Sequence, residues 1–204
     1  MLSEFGLVVI GAHTGYHLRD LISKYNNKKI LLVEPVPYNY EALESNFGHL
    51  KNILICKNGI IDKNKTDNFY YIKKDSLISL KKHWASGIGS FDINHILNHK
   101  NKRFNVTEED IIKSEIDFIT FENLIANFSI DSIDMLQIDV EGAEYKIMKS
   151  INYEKIKINK ILFESKHFDG TFKEGEKLEE IKQLLISKKY ILSNIDSENI
   201  LAVK

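Results

Sequence analysis

Cysteine, proline, arginine and tryptophan are all scarce in this chain of 204 residues. Cys56 stands alone, so no disulfide can form within the chain, and a reducing, cytoplasmic setting is expected. It closes an apolar run, where a thiol reads as a buried strand residue rather than a nucleophile. The two prolines, Pro35 and Pro37, fall in one loop. No Pro-rich linker divides the chain, and one domain over residues 1–204 is expected. Arg19 and Arg103 are the only arginines, which argues against phosphate recognition by many guanidinium forks. A formal charge of −1 and a pI near 6.7 leave no basic stripe, so no nucleic-acid partner is expected. The N-terminus does not resemble a signal peptide, and no apolar run is long enough to span a bilayer. What is present is an apolar content of 43%, enough to build a core.

The apolar residues are arranged in alternating patterns. Leu7–Ile10 is an unbroken run, as in a strand buried on both faces. Gly11–Gly15 interrupts it, and Leu18, Leu21, Ile22 and Tyr25 then recur at helical spacing. Ile30–Val33 completes a strand–helix–strand unit with a right-handed crossover. Pro37 opens a helix carrying Tyr40, Leu43 and Phe47, and Ile53–Cys56 is a third strand. Phe69–Ile72 predicts an extended piece, parallel or antiparallel, and Ile116–Ile119 another strand. Residues 74–110 show no sustained period and predict a substrate loop or lid. After Thr120, a helix cap, come a helix to Phe128, a strand to Asp139, a helix through Ile147, Met148 and Ile151, and a strand to Glu164. Thr171 and Glu174 have capping-box spacing before a helix bearing Leu178, Ile181, Leu184 and Leu185. Tyr190–Ile195 and Ile200–Val203 predict an edge hairpin. The expected fold is α/β, a doubly wound, mostly parallel sheet with a C-terminal antiparallel hairpin.

In such sheets the ligand sits beyond the carboxyl ends of the strands. The first strand leads into Gly11, Ala12, His13, Thr14 and Gly15. Gly11 permits a tight turn, Gly15 permits close helix packing, and helix-start N–H groups suit a carboxylate. The G-x-x-x-G spacing departs from the G-x-G-x-x-G of dinucleotide sites. Glu34 ends the second strand beside Pro35, where an acid accepts hydrogen bonds from ribose hydroxyls. Asn58, Gly59 and Ile60 follow the third strand, where an adenine ring has backbone and an apolar side chain to lie against. Asp139, Glu141 and Glu144 crowd the next strand end, and their repulsion needs a cation or helix N–H groups to offset it. No metal is assigned there.

The segments Val9-Ile-Gly-Ala-His-Thr-Gly15, Val33-Glu-Pro-Val-Pro37 and Gln137-Ile-Asp-Val-Glu-Gly-Ala-Glu144 together resemble the FkbM family of methyltransferases. Thr120-Phe-Glu-Asn-Leu124, Ile161-Leu-Phe-Glu164 and the small-residue stretch Trp84–Ser90 are also similar to that family. The resemblance implies a class I, Rossmann-like fold and S-adenosyl-L-methionine as cofactor. It implies O-methylation of a hydroxyl on a sugar, glycan or other small metabolite. It places Gly11, Ala12, His13, Gly15, Glu34, Pro35, Gly59, Ile60 and Asp139 at the cofactor. A hydroxyl acceptor must lose a proton, so a general base is expected. Asp139, Glu164 and His167, at or just past strand ends, are the candidates. His83, His95 and His99 are candidates to line the acceptor pocket. A nicotinamide-dependent oxidoreductase and a catalytically silent nucleoside-binding module are the competing readings. The oligomeric state stays open.

Overall fold

The computed structural model describes residues 3–100, 103–166, 168–169 and 175–204. The chain begins with β1 (Ser3–Ile10), a short 3-10 turn, α1 (Arg19–Lys24), β2 (Lys29–Val33), α2 (Pro37–Phe47) and β3 (Ile53–Cys56). Pro37 occupies the first turn of α2, where its missing N–H costs nothing. Four strands then form a separate sheet: β4 (Gly59–Ile60), β5 (Lys65–Ile72), β6 (Gly89–Ser90) and β7 (Ile111–Ile119), in the order β4-β7-β5-β6. Two short helices, α3 (Ser76–Leu80) and α4 (Ile93–Leu97), lie between β5 and β7. The chain continues with α5 (Phe121–Asn127), β8 (Ile130–Ile138), α6 (Glu144–Ser150), β9 (Lys157–Glu164), α7 (Glu176–Ser187), β10 (Ile191–Asn194) and β11 (Asn199–Val203).

The main sheet runs β10-β11-β9-β8-β1-β2-β3. Strands β9 to β3 are parallel, and β11 and β10 close one edge antiparallel. Strand β1 is central, and its alternate residues serve two cores. Val8 and Ile10 join Leu31, Leu136 and Phe163 on one face. Leu7 and Val9 join Leu18, Leu43 and Phe47 beneath α1 and α2 on the other. That double burial is why the run reads as unbroken apolar sequence. Helix α7 buries Leu178, Ile181 and Leu185, each contributing about 1.5–3 kcal/mol. Thr120 caps α5, accepting from the Asn123 N–H at 3.1 Å. The Thr171 to Glu174 cap lies outside the described residues.

Two features differ from expectation. The strands expected at 69–72 and 116–119 are parts of one long antiparallel pair, from Lys65 against Phe118 to Ile72 against Ile111. Half of β5 alternates with solvent-facing residues, so its apolar signal is short. Residues 74–110 are also not an open loop. Ala85, Ile88, Ile96, Phe104 and Val106 form a small core with Ile72 and Ile111. Its helices are five residues each, too short to show a period.

Candidate functional site

The strand order reverses between β1 and β8, and there the chain opens a cavity of about 450 Å³. The Asp139 N–H bonds Ile10 O at 3.0 Å, so both strands end at the same level. Gly11 turns there at φ +88°, and a Cβ would sit 1.7 Å from the Asp139 carbonyl oxygen. Only glycine meets both demands. Gly15, at φ +71°, lets the following turn lie on α2; a Cβ would stand 2.4 Å from Phe47 and 2.7 Å from Leu43. The loop's own N–H groups are largely engaged. Those of Gly11 and Ala12 bond Val33 O, at 3.0 and 2.9 Å.

Glu34 projects from the end of β2 and is almost wholly buried at the cavity wall. Its Oε2 accepts from the His13 N–H at 2.9 Å and its Oε1 from the Val36 N–H at 3.0 Å. Oε1 also accepts a longer bond from Asn39 Nδ2, at 3.5 Å, and Oε2 keeps a second lone pair. Burial pushes this carboxyl up to about 7, although the backbone bonds pull the other way. The neighbouring His13 imidazole is pushed down to about 4, by burial first and by His17 second. It is neutral at physiological pH and is hydrogen-bonded through Nε2 to Ser86 Oγ. Asn39 Nδ2 donates to Ser86 O at 2.8 Å. These two bonds tie the Trp84–Ser86 turn to the cavity.

The acids after β8 divide into two roles. Asp139 and Glu141 line the cavity. Glu144 turns inward and is fully buried, and its carboxyl accepts from the N–H groups of Val140 (2.6 Å) and Gly142 (2.8 Å). It staples the turn in which Glu141 (φ +58°) and Gly142 (φ +118°) take left-handed conformations. Burial raises the Glu144 carboxyl to about 8, and Glu164 adds to the rise. A proton on Glu144 at neutral pH therefore relieves much of the expected repulsion. One oxygen each of Asp139, Glu144 and Glu164 lie within 4.8 Å of one another.

The far end of the cavity is aromatic. Phe69 and Phe118 of the second sheet and Phe91 just after β6 stand beside Gly59 and Ile60, with ring centroids 4.7 to 5.5 Å apart. A second cavity, of about 690 Å³, shares His13, His17 and Trp84 with the first. Asn39 lines it, and the buried Asn39 Oδ1 has no hydrogen-bond partner among the described residues.

Of the residues singled out in the sequence, Gly11, His13, Glu34, Pro35, Gly59, Ile60 and Asp139 come together around the first cavity. Ala12 instead packs in the core beneath α1, and Gly15 packs on α2. Glu164 is buried behind Asp139 and does not line the cavity. His167 and the side chain of His83 lie outside the described residues. His95 lines the first cavity, while His99 is buried and stacks on Phe104 at 5.5 Å. Sequence reasoning missed His17, Ser86, Asn39 and the phenylalanines. His17 carried little signal, since the four residues from His13 span the turn in which His13 takes φ +52°, not one helix. Ser86 carried none, because 73 positions separate it from His13.

Solved structures share this architecture. Methyltransferase FkbM from Methylobacillus flagellatus KT superposes with a TM-score of 0.54 at 14% identity, over 100% of this chain and 44% of that one. Fibrillarin from Aeropyrum pernix, solved with natively bound S-adenosyl-L-methionine, gives 0.50 at 12% identity, over 99% and 67%. The fold is that of the class I methyltransferases. The methyltransferase FkbM domain pattern matches residues 10–192, and the chain belongs to that family. It spans less than half the length of the FkbM structure it matches. No curated protein matches it.

Proposed function

We propose that the first cavity binds S-adenosylmethionine and that the chain methylates a hydroxyl oxygen of a small acceptor, with sugar or glycan hydroxyls as the preferred class. The observation that carries this reading is the order of chemistry along the cavity. An aromatic end, a buried acid and an acidic end follow one another, as base, ribose and cationic amino-acid portion do in the ligand. Phe91, Phe118 and Ile60 would hold the base, Glu34 the ribose hydroxyls, and the Asp139–Gly142 turn the ammonium. Glu34 is suited because its two oxygens are held in place by backbone N–H groups and by Asn39, and Oε2 still has capacity to accept. The sulfonium supplies a methyl group already activated for transfer.

The chain's own residues hold the acceptor and remove its proton. Orientation of this kind is worth about 7–11 kcal/mol. Asp139, exposed at the cavity wall with Glu164 behind it, is the general base in this reading. The folded 74–110 segment covers the acceptor side, with Trp84, Phe91 and His95 in its wall.

A thermal-shift series tests the cofactor. At 100 times its dissociation constant a ligand adds about 2.7 kcal/mol. S-adenosylhomocysteine should raise the midpoint, and NAD and NADP should not. Labelled methyl donor presented with a panel of glycosides then tests transfer to oxygen. Stabilisation by NAD alone would overturn the reading.

A further inference from the structure

Charge is unevenly spread along this chain. Residues 73–103 hold seven lysines and arginines against two aspartates, while the whole chain carries −1. The segment therefore has a surplus of five positive charges, and the remaining residues are net acidic. Its lysines fall in two pairs, Lys73-Lys74 and Lys81-Lys82, on either side of α3. Among the described residues none of the four lies within ion-pair distance of a carboxylate. Between and beside the pairs stand two large apolar side chains that are left exposed. Ile78 is 75% exposed and Trp84 45% exposed. Tyr16 adds a third ring at 71% exposure. Tyr16, Lys74, Leu77 and Trp84 all line the second cavity, so these four share one face, with Ile78 and the remaining lysines beside them in the chain. Both arginines of the chain are there too. Arg103 lies 5.1 Å from the Trp84 ring and Arg19 lies 4.9 Å from the Tyr16 ring.

We propose that this face, built from α3 with its flanking lysine pairs, Trp84 and Tyr16, docks on the surface of an anionic lipid bilayer. Docking would bring the rim of the second cavity to the headgroup layer. Unpaired lysines beside an aliphatic and an indole side chain match the two layers of such a surface. Headgroup charge takes the ammonium groups, and the boundary below takes Ile78 and the indole. Lysine stems are long enough to serve both layers at once. The same face fits an RNA backbone less well, because a phosphate chain offers Ile78 nothing. The inference does not depend on the acceptor or on methyl transfer.

Trp84 is the chain's single tryptophan and so reports directly on the contact. Its emission should be recorded against vesicles of phosphatidylcholine alone and of phosphatidylcholine with about one-third phosphatidylglycerol, with co-sedimentation in parallel. A blue shift and sedimentation with the anionic vesicles only are expected. Binding should weaken at least ~10-fold in high salt, where the Debye length shrinks to about 3 Å at 1 M. The combined variant Lys73→Glu, Lys81→Glu, Lys82→Glu should bind at least ~10-fold more weakly, with an unchanged melting midpoint. Ile78→Ser alone should bind severalfold more weakly and keep the salt dependence, and it serves if the triple variant fails to fold. Equal affinity for neutral vesicles, parental binding by both variants, or tighter binding to single-stranded RNA than to anionic vesicles would overturn the proposal.

Discussion

Acidification should weaken the grip of this site on a nucleoside, because Glu34 titrates inside the physiological range. Its carboxyl is held near 7 by burial, well above an exposed glutamate. Two ribose hydroxyls donate best to an ionised carboxylate, so the proton and the ligand compete. At pH 8 most of the protein is competent. At pH 5, two units below the titration point, about 1% is ionised, and the apparent dissociation constant of S-adenosylhomocysteine should rise about 100-fold, or about 2.7 kcal/mol. His13, held near 4, stays neutral across most of that window and does not mimic the effect. Titration calorimetry or the Trp84 emission measures it, since Trp84 lines the cavity. The control is Glu34→Gln, which keeps the shape but leaves one of the His13 or Val36 N–H groups facing an amide NH₂. That variant should bind more weakly at pH 8, by about 1.5–3 kcal/mol for one lost charge-assisted bond, and its affinity should be flat with pH. A wild-type affinity that does not change between pH 5 and pH 8, or an equal slope in Glu34→Gln, would refute the reasoning.

Other outcomes follow from the same geometry. Glu144 is raised to about 8 in the folded state, so the folded chain binds the extra proton and is the more stable at low pH. Urea unfolding should show stability lost as pH rises from about 5 to about 8, on the order of 3–4 kcal/mol from this group, and Glu144→Gln should flatten that profile. Gly11→Ala forces a Cβ against the Asp139 carbonyl, and it should destabilise the fold by several kcal/mol by thermal melting; a near-normal midpoint would contradict the described turn. Phe91→Ala should weaken S-adenosylhomocysteine by about 1–3 kcal/mol in calorimetry if the base lies in the aromatic end. Asp139→Asn should cut turnover sharply even at saturating S-adenosylmethionine, and normal methylation by that variant would remove it from the mechanism.

Much of the sheet could be read from the chain because its signals are local. A strand buried on both faces needs an unbroken apolar run, and Leu7–Ile10 and Ile30–Val33 each have one; Ile53–Cys56 carries a like run at the sheet edge, where Leu54 is exposed. Gly11 and the acids at 34 and 139 mark strand ends, so their common rim followed from the alternation alone. The small second sheet was harder. Strand β5 shows half its residues to solvent, and its partner β7 is about forty residues away. The 74–110 segment hid its order because no helix in it exceeds five residues.

The sequence by itself determined the alternation of strands and helices and the residues at the strand ends, because periodicity, glycine conformation and capping act over a few residues. The tertiary structure alone decided which of those residues face the cavity. It turned Glu144 inward to hold a turn, sank Ala12 into the core, and brought Ser86 to His13 and three phenylalanines to Gly59. Those choices depend on burial and on pairing between distant segments, and neither leaves a local mark in the chain.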